Sequence, residues 1–177
     1  MSDSTTTNHK SISVAFLISF FAILSTISAQ TIFTVTSSAD SGAGTLRQAL
    51  LDANALPASL DETVAYIDLT FLQETTAPAQ VQISLNLGAI PISRSVHIFG
   101  TNGFPLPRIT STNYSSFALL GLTKPIEVSL QYLRFEGGRS TGTRGVLNCE
   151  PGTNVLNLQI ELCEFVDNQI TPDPLNF

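Results

Sequence analysis

Residues 128–138 (VSLQYLRFEGG) and residues 158–168 (LQIELCEFVDN) align with each other at an offset of 30 residues, without a gap. Each copy begins with apolar and polar residues in alternation, the pattern of a half-buried β-strand. Each then places two apolar residues in a row, Tyr132-Leu133 in the first copy and Leu162-Cys163 in the second. This shared break predicts a corner at which the inward face changes parity. Both copies end in turn formers, Gly137-Gly138 and Asp167-Asn168.

A weaker copy, SVHIFGTNG (95–103), lies about 32 residues upstream of the first. A period of about 30 residues built only from short strands predicts a solenoid, in which equivalent residues of successive coils stack about 4.8 Å apart. The alternative is a β-sandwich with two strands that are similar by chance. The shared parity break favours the solenoid.

One short helix is predicted near the front of this strand-rich chain, in SADSGAGTLRQALLDAN (38–54). Thr45 is a good N-cap and Gln48 stands three residues later, which is the spacing of a capping box. Leu46, Ala49, Leu50 and Ala53 form a single apolar stripe. A helix of about three turns is marginal by itself in water, so residues 45–54 must cover an apolar surface.

Strands are predicted on both sides of the helix, from the alternation in TIFTVTSS (31–38), VAYIDLTF (64–71) and VQISLNL (81–87). In the second of these, Ile67, Leu69 and Phe71 would share the inward face. The predicted organisation is an N-terminal cap over residues 30–80, followed by coils over residues 81–177. We expect the coils to be incomplete at the C-terminal side, because the sequence stops about ten residues after the second clear repeat.

The first 29 residues have the layout of a secretory signal peptide. His9 and Lys10 precede an apolar run over residues 14–24, and small residues follow up to Ala29. The alternative is a membrane anchor, but the run is shorter than the roughly 20 apolar residues of a span. We therefore expect cleavage near Ala29, an extracellular protein that is secreted or held at the cell surface, and no membrane span after cleavage.

The charge and the few chemically reactive residues exclude several classes of function. A net charge of −6 with scattered Lys and Arg argues against nucleic acid as a partner. After cleavage His97 is the single histidine, which excludes a zinc site built from several histidines. Cys149 and Cys163 are both expected to point inward, and they form either a buried disulfide or two separate core thiols.

The stretch from Thr34 to Phe71 resembles the opening of secreted right-handed parallel β-helix proteins of the pectin-lyase-like class, many of which carry a C-S-L-R-E-A signature. This chain has Gly44, Thr45, Leu46, Arg47, Gln48 and Ala49 at those places, so it lacks the cysteine. The turns FEGG and FVDN are similar to coil ends of that class. The resemblance implies an all-β, right-handed parallel β-helix of about three coils, capped by the helix with Thr45, Leu46, Arg47, Gln48 and Leu50.

Enzymes of the resembling class act on acidic polysaccharides and use clustered carboxylates, often around Ca²⁺, with a Lys or Arg as base. Arg134 and Glu164 would sit side by side in a solenoid, where a lateral ion pair is favoured over half of an active site. Glu161 on Gln131 reads as a polar ladder. Asp167 and Asp173 could hold Ca²⁺, although solvated turn residues are favoured. No other cofactor is expected.

Three further groups of residues have two interpretations each. Arg47 could bind a ligand, but pairing with Asp40 or Asp52, or with carbonyls of the first coil, is favoured. The tyrosines are Tyr66, Tyr114 and Tyr132, too few for an aromatic sugar platform, and Tyr132 is expected in the core. Asn113 in NYS is a glycosylation acceptor in a eukaryotic host.

These observations favour an exported β-helix protein of the adhesin or structural cell-surface type, probably the simplest description of a chain without an evident catalytic cluster. Polysaccharide or other cell-surface components are the expected partners. End-to-end self-association is expected, because no second helix covers the C-terminal coil. The alternative is the N-terminal part of a polysaccharide lyase or glycosidase of the pectin-lyase-like fold.

Overall fold

The computed structural model describes residues 30–57, 60, 63–75, 81–102, 105–111, 117–120, 125–141, 146–149 and 155–171. Two helices lie among them, α1 (Leu46–Asn54) and α2 (Thr70–Thr75). The strands are β1 (Thr31–Thr34), β2 (Ala65–Asp68), β3 (Gln82–Ser84), β4 (Ile90–Ile92), β5 (Val96–Phe99), β6 (Arg108–Thr110), β7 (Phe117–Leu119), β8 (Ile126–Gln131), β9 (Arg134–Glu136), β10 (Arg139–Thr141), β11 (Leu147–Cys149), β12 (Val155–Glu161), β13 (Glu164–Val166) and β14 (Gln169–Thr171).

The strands form three stacked parallel sheets and one small additional pair. The first sheet has the order β1-β2-β5-β8-β12, the second β3-β6-β9-β13 and the third β4-β7-β11, while β10 pairs with β14. In the described part of the chain, three coils contribute one strand to each of the three sheets, and β12 and β13 begin a fourth. The molecule is therefore a parallel β-helix with an N-terminal helix, and the prediction of the fold class is confirmed.

The 30-residue offset is the register between the last two coils. Ser129 pairs with Gln159 in the first sheet, and Arg134 pairs with Glu164 in the second. The weaker upstream copy is also in register, because Val96 pairs with Val128. Both alignments found in the sequence are therefore coil-to-coil pairings, and the sandwich alternative is wrong.

The break in alternation is a corner made by a left-handed backbone residue. Tyr132 and Leu162 have φ angles of 55° and 51°, which turn the chain between the first and second sheets. Leu133, the next residue, is fully buried, as the parity change predicts. Tyr132 itself is only partly buried, so its assignment to the core is wrong. The prediction extended the strand by one residue too many.

A second corner explains the turn formers at the ends of the repeat. Gly137 and Asp167 occupy equivalent positions with φ angles of 68° and 52°. Asn168 joins the two coils there, since its amide donates to the carbonyl of Phe135 (2.9 Å) and its Oδ1 accepts from the N–H of Gly138 (2.8 Å). Glycine or aspartate followed by a small or amide side chain therefore suits this bend.

The strand predicted over residues 64–71 ends earlier than expected. Asp68 accepts a hydrogen bond from the N–H of Thr70 through Oδ1 (2.8 Å), and this bond starts helix α2. Ile67 and Leu69 are buried as predicted, but Phe71 is exposed on the helix. The alternation of apolar residues continued into the helix by coincidence, so the inward assignment of Phe71 is wrong.

The core is a set of apolar columns that run along the coil axis. Ile67, Ile98 and Leu130 form one fully buried column in the first sheet. Phe117 and Phe135 are the largest fully buried side chains, and their rings pack edge to face with centroids 5.8 Å apart. Each coil thus provides a layer of the core that covers the layer before it.

The fourth coil has its inward positions exposed. Leu158, Ile160, Leu162 and Phe165 are 42%, 43%, 65% and 47% exposed, although the residues one coil earlier that pair with Leu158, Ile160 and Phe165 are buried. We call these four residues the open face. Among the described residues no further strand pairs with β12 or β13, so the backbone groups on that side of the fourth coil are also without strand partners.

Candidate functional site

Helix α1 covers the first coil with the apolar stripe predicted for it. Leu46, Ala49, Leu50 and Ala53 are all buried. Thr45 is the N-cap, because its Oγ1 accepts from the N–H of Gln48 (3.2 Å). The capping box is only half formed, since the Gln48 side chain donates to Asp52 (2.7 Å) instead of reaching back to the cap. The prediction of a reciprocal box is therefore wrong, while the lid is as expected.

Arg47 and Asp40 lock the loop before the helix onto the first coil. Arg47 donates to Asp40 Oδ1 through Nη2 (2.8 Å) and to the carbonyl of Gly88 (2.7 Å). The second carboxylate oxygen of Asp40 accepts from the N–H groups of Asn86 (2.6 Å) and Leu87 (2.7 Å). Both structural roles expected for Arg47, pairing with Asp40 and binding a first-coil carbonyl, are confirmed.

This network sets the titration of Asp40. Burial alone would raise the pKa of the Asp40 carboxyl, but the hydrogen bonds from Arg47 and from the N–H groups of Leu87 and Asn86 outweigh burial. The pKa therefore lies below its ordinary value, and the carboxylate stays charged at neutral pH. Asp40 is a structural carboxylate and not an acid or base for catalysis.

Two residues that the sequence analysis did not single out hold the other end of the helix. Asn54 donates to the carbonyl of Pro91 (2.9 Å) and accepts from the N–H of Ser93 (3.0 Å). Arg94 is buried and donates to the carbonyls of Ala53 (3.0 Å) and Leu60 (2.5 Å). A buried arginine after a helix end can satisfy carbonyls that lack intrahelical partners. Its distance of about forty residues from Ala53 gave no local sign of this role.

Charged side chains form a ladder on the outward face of the second sheet. Arg134 donates to Glu164 (3.1 Å) and to Glu136 (2.9 Å), and Arg108 donates to Glu136 through two nitrogens (2.9 and 2.5 Å). The lateral Arg134–Glu164 pair is confirmed. Arg108 and Glu136 were missed because a longer connection shifts this rung away from the 30-residue spacing. The hydrogen bonds from Arg108 lower the pKa of Glu136, which burial would otherwise raise.

A groove of about 210 Å³ runs over the outward face of the first sheet, and we call it the first-sheet groove. Its lining includes the side chains of Tyr66, His97, Glu127, Ser129, Gln131, Gln159 and Glu161. The predicted ladder of Gln131 and Glu161 is present, since the Gln131 amide donates to Glu161 (3.0 Å), and Gln159 donates to the same carboxylate. Glu161 is thus held by two amides.

His97 lies between two aromatic rings beside this groove. Its ring centroid is 5.4 Å from that of Tyr66 and 5.2 Å from that of Phe99. His97 Nε2 is buried and has no hydrogen-bond partner among the described residues. The sequence analysis used His97 only to exclude zinc and did not place it on a surface. The first-sheet groove is the candidate functional site.

Both cysteines are free thiols. Cys149 pairs in register with the buried Leu119, so it occupies an inward position as predicted, but it is exposed. The expectation that it lies in the core is wrong, because no described strand follows β11 in the third sheet. Cys163 is partly buried, and burial raises the pKa of its thiol.

The remaining candidate residues are placed only in part. Asp167 lies at the second corner, while Asp173, Asn113, Tyr114 and the predicted signal peptide (1–29) lie outside the described residues. Within the described ranges, no group of three His, Cys, Asp or Glu side chains is arranged to hold a metal ion. In the same ranges, neither helix is long and apolar enough to cross a bilayer.

Comparison of the chain with protein-family models, with curated proteins and with solved structures found no match. The class of the molecule therefore follows from its coordinates, as a β-solenoid of three parallel sheets with a helical lid on its first coil.

Proposed function

We propose that this chain is an exported β-helix protein of the adhesin or structural cell-surface type, similar to the non-catalytic relatives of pectin-lyase-like proteins. The observation that carries the proposal is the ladder on the second sheet. Arg108, Arg134, Glu136 and Glu164 bind one another from coil to coil. Charges used in this way stabilise a scaffold and are not poised to transfer protons to a substrate.

Export is supported by the apolar run and small residues of the first 29 positions. The test is expression of the 177-residue chain in a secretion-competent host, followed by N-terminal sequencing of the protein in the medium or on the cell surface. We expect a new N-terminus close to Gln30. Retention of the intact chain inside the cell would contradict the proposal.

The proposed partners are polysaccharides or other components of a cell surface, and the first-sheet groove offers amide, hydroxyl, carboxylate and aromatic groups to them. The proposal expects binding without turnover. Incubation of the chain with polygalacturonate and with neutral and amino polysaccharides should produce no new reducing ends and no unsaturated products.

The second candidate function is that of a polysaccharide lyase or glycosidase, of which this chain would be the N-terminal part. The observation in its favour is that the imidazole of His97 and the carboxylate of Glu161 line one groove. An imidazole and a carboxylate are common acid–base groups. Cleavage that is lost in both His97→Ala and Glu161→Gln would establish this candidate and overturn the scaffold.

A further inference from the structure

The first-sheet groove is acidic along its whole length. Of the described residues that line it, Glu127 and Glu161 are carboxylates and none is Lys or Arg. A polyuronate chain would meet like charges there, whereas a cationic ligand would be attracted. The groove therefore differs in sign from one suited to acidic polysaccharides.

The two carboxylates bracket the groove and do not share one point. Glu127 stands four residues before Gln131 on β8, and Gln131 pairs with Glu161 on the next coil. With about 3.3 Å per residue along a strand and about 4.8 Å between strands, their Cα atoms lie about 14 Å apart. A ligand that meets both is an extended oligomer with more than one positive group.

The space between the carboxylates carries groups that suit sugar hydroxyls and ring faces. Ser129, small and central, leaves the depression, and Tyr66 and His97 supply aromatic surface beside it. The buried Nε2 of His97 has no partner among the described residues, so a ligand hydroxyl that reaches it would supply the missing hydrogen bond. Gln131 and Gln159 hold Glu161 in place before any ligand arrives.

We infer that the first-sheet groove binds a cationic amino-sugar oligosaccharide, whose ammonium groups pair with Glu161 and Glu127 while its rings lie over Ser129 and against Tyr66. This inference rests on the proposed function, because it names the class of glycan that the scaffold would hold. It separates a polymer of free amino sugars from its N-acetylated form and from polyuronates by charge alone.

Calorimetric titration of the expressed 177-residue chain tests the inference with three oligomers of equal length, made of glucosamine, N-acetylglucosamine and galacturonate. We expect glucosamine oligomers to bind at least about tenfold more tightly than the other two, as one charge-assisted contact allows. Their affinity should fall as salt is raised, since exposed charges are screened.

Glu161→Gln and Glu127→Gln should each weaken glucosamine binding about tenfold. Glu164→Gln is the matched control, because it removes a carboxylate from the same coil but on the second sheet, and it should leave the affinity unchanged. Circular dichroism would confirm that all three variants are folded.

Equal affinity for the three oligomers, no binding of any of them, or no effect of Glu161→Gln in a folded protein would overturn the inference while leaving the scaffold proposal in place. Cleavage of any oligomer would instead overturn the scaffold proposal. The two ideas therefore fail on different readouts, affinity and turnover.

Discussion

At the residue scale, the N-terminal part of the molecule depends on a few polar side chains that tie the helix to the first coil. Asp40 accepts from Arg47 and from two backbone N–H groups, and Asn54 makes two bonds to the segment around Pro91. These contacts explain in physical terms why an aspartate, an arginine and an asparagine stand at those positions of residues 38–54.

Asp40→Asn should lower the free energy of unfolding by about 1.5–3 kcal/mol at neutral pH, as expected for the loss of hydrogen bonds to a charged group. Because the pKa of Asp40 is lowered in the folded state, this stabilisation is present above the ordinary aspartate pKa. It is lost as the pH falls through the lower, folded-state pKa, so the two proteins should converge in acid. Urea denaturation across this pH range measures both effects.

Asp52→Asn is the control for that experiment, because Asp52 is exposed on the same helix and accepts only from the Gln48 side chain among the bonds described here. We expect it to change stability by less than about 0.5 kcal/mol. An Asp40→Asn variant that runs parallel to the parent at every pH would show that the carboxylate charge does not stabilise the loop.

At the element scale, helix α1 is a lid and the strands are rungs, and both statements can be tested by substitution. The helix is short, so its stability comes from the surface that it covers. Leu50 is 0% exposed, whereas its neighbour Leu51 is 41% exposed. The two leucines therefore differ in burial while sharing the same helical position within one residue.

Leu50→Asp should destabilise the protein by about 4 kcal/mol or more, because it buries a charge without a partner. Leu51→Asp should cost less than about 0.5 kcal/mol, since that side chain reaches solvent. Thermal and urea denaturation of the two variants provide the comparison. Similar losses for both would mean that α1 does not cover a core.

The coil register predicts a specific crosslink between β8 and β12. In a Cys149→Ser and Cys163→Ser background, cysteines introduced by Ser129→Cys and Gln159→Cys would stand about 4.8 Å apart and should join under mild oxidation. The pair Ser129→Cys with Glu161→Cys is two residues out of register, at about 8 Å, and should not. Mass spectrometry distinguishes the two, and crosslinking of both pairs alike would refute the assigned register.

The repeat could be read from the sequence because its strands alternate and break parity at the same place, Tyr132-Leu133 and Leu162-Cys163. The start of α2 could not, because Leu69 and Phe71 continue an alternation that Asp68 ends through a hydrogen bond to Thr70. The groove was also beyond sequence reasoning. Tyr66 and His97 are 31 residues apart and Glu161 comes from a different coil, so only the stacking register brings them together.

At the scale of the whole molecule, the two ends of the described solenoid are unlike. Helix α1 covers the first coil, while the fourth coil presents the open face. That face continues the buried contact between β8 and β12, so its natural occupant is another layer of the same chemistry. Since the opposite end is covered, the matching surface for one open face is the open face of a second copy.

We therefore expect the 177-residue chain to form closed dimers through the open face as its concentration rises, and not filaments. Light scattering across a hundredfold range of concentration measures this. Leu162→Lys should shift the equilibrium toward monomer, whereas Leu87→Lys should not, although both leucines are 65% exposed in the parent. Monomers at every concentration, or oligomers that grow without limit, would contradict the expectation.

Because residues 128–138 pair rung by rung with residues 158–168, thirty residues make a self-contained building block. A tandem duplication of residues 128–157 would lengthen the solenoid by about 4.8 Å and return every apolar side chain to an existing column. A duplication that is longer or shorter by one residue would turn those side chains toward solvent. Genes for such molecules can therefore change the reach of the protein in whole steps, counted from a fixed, lidded base.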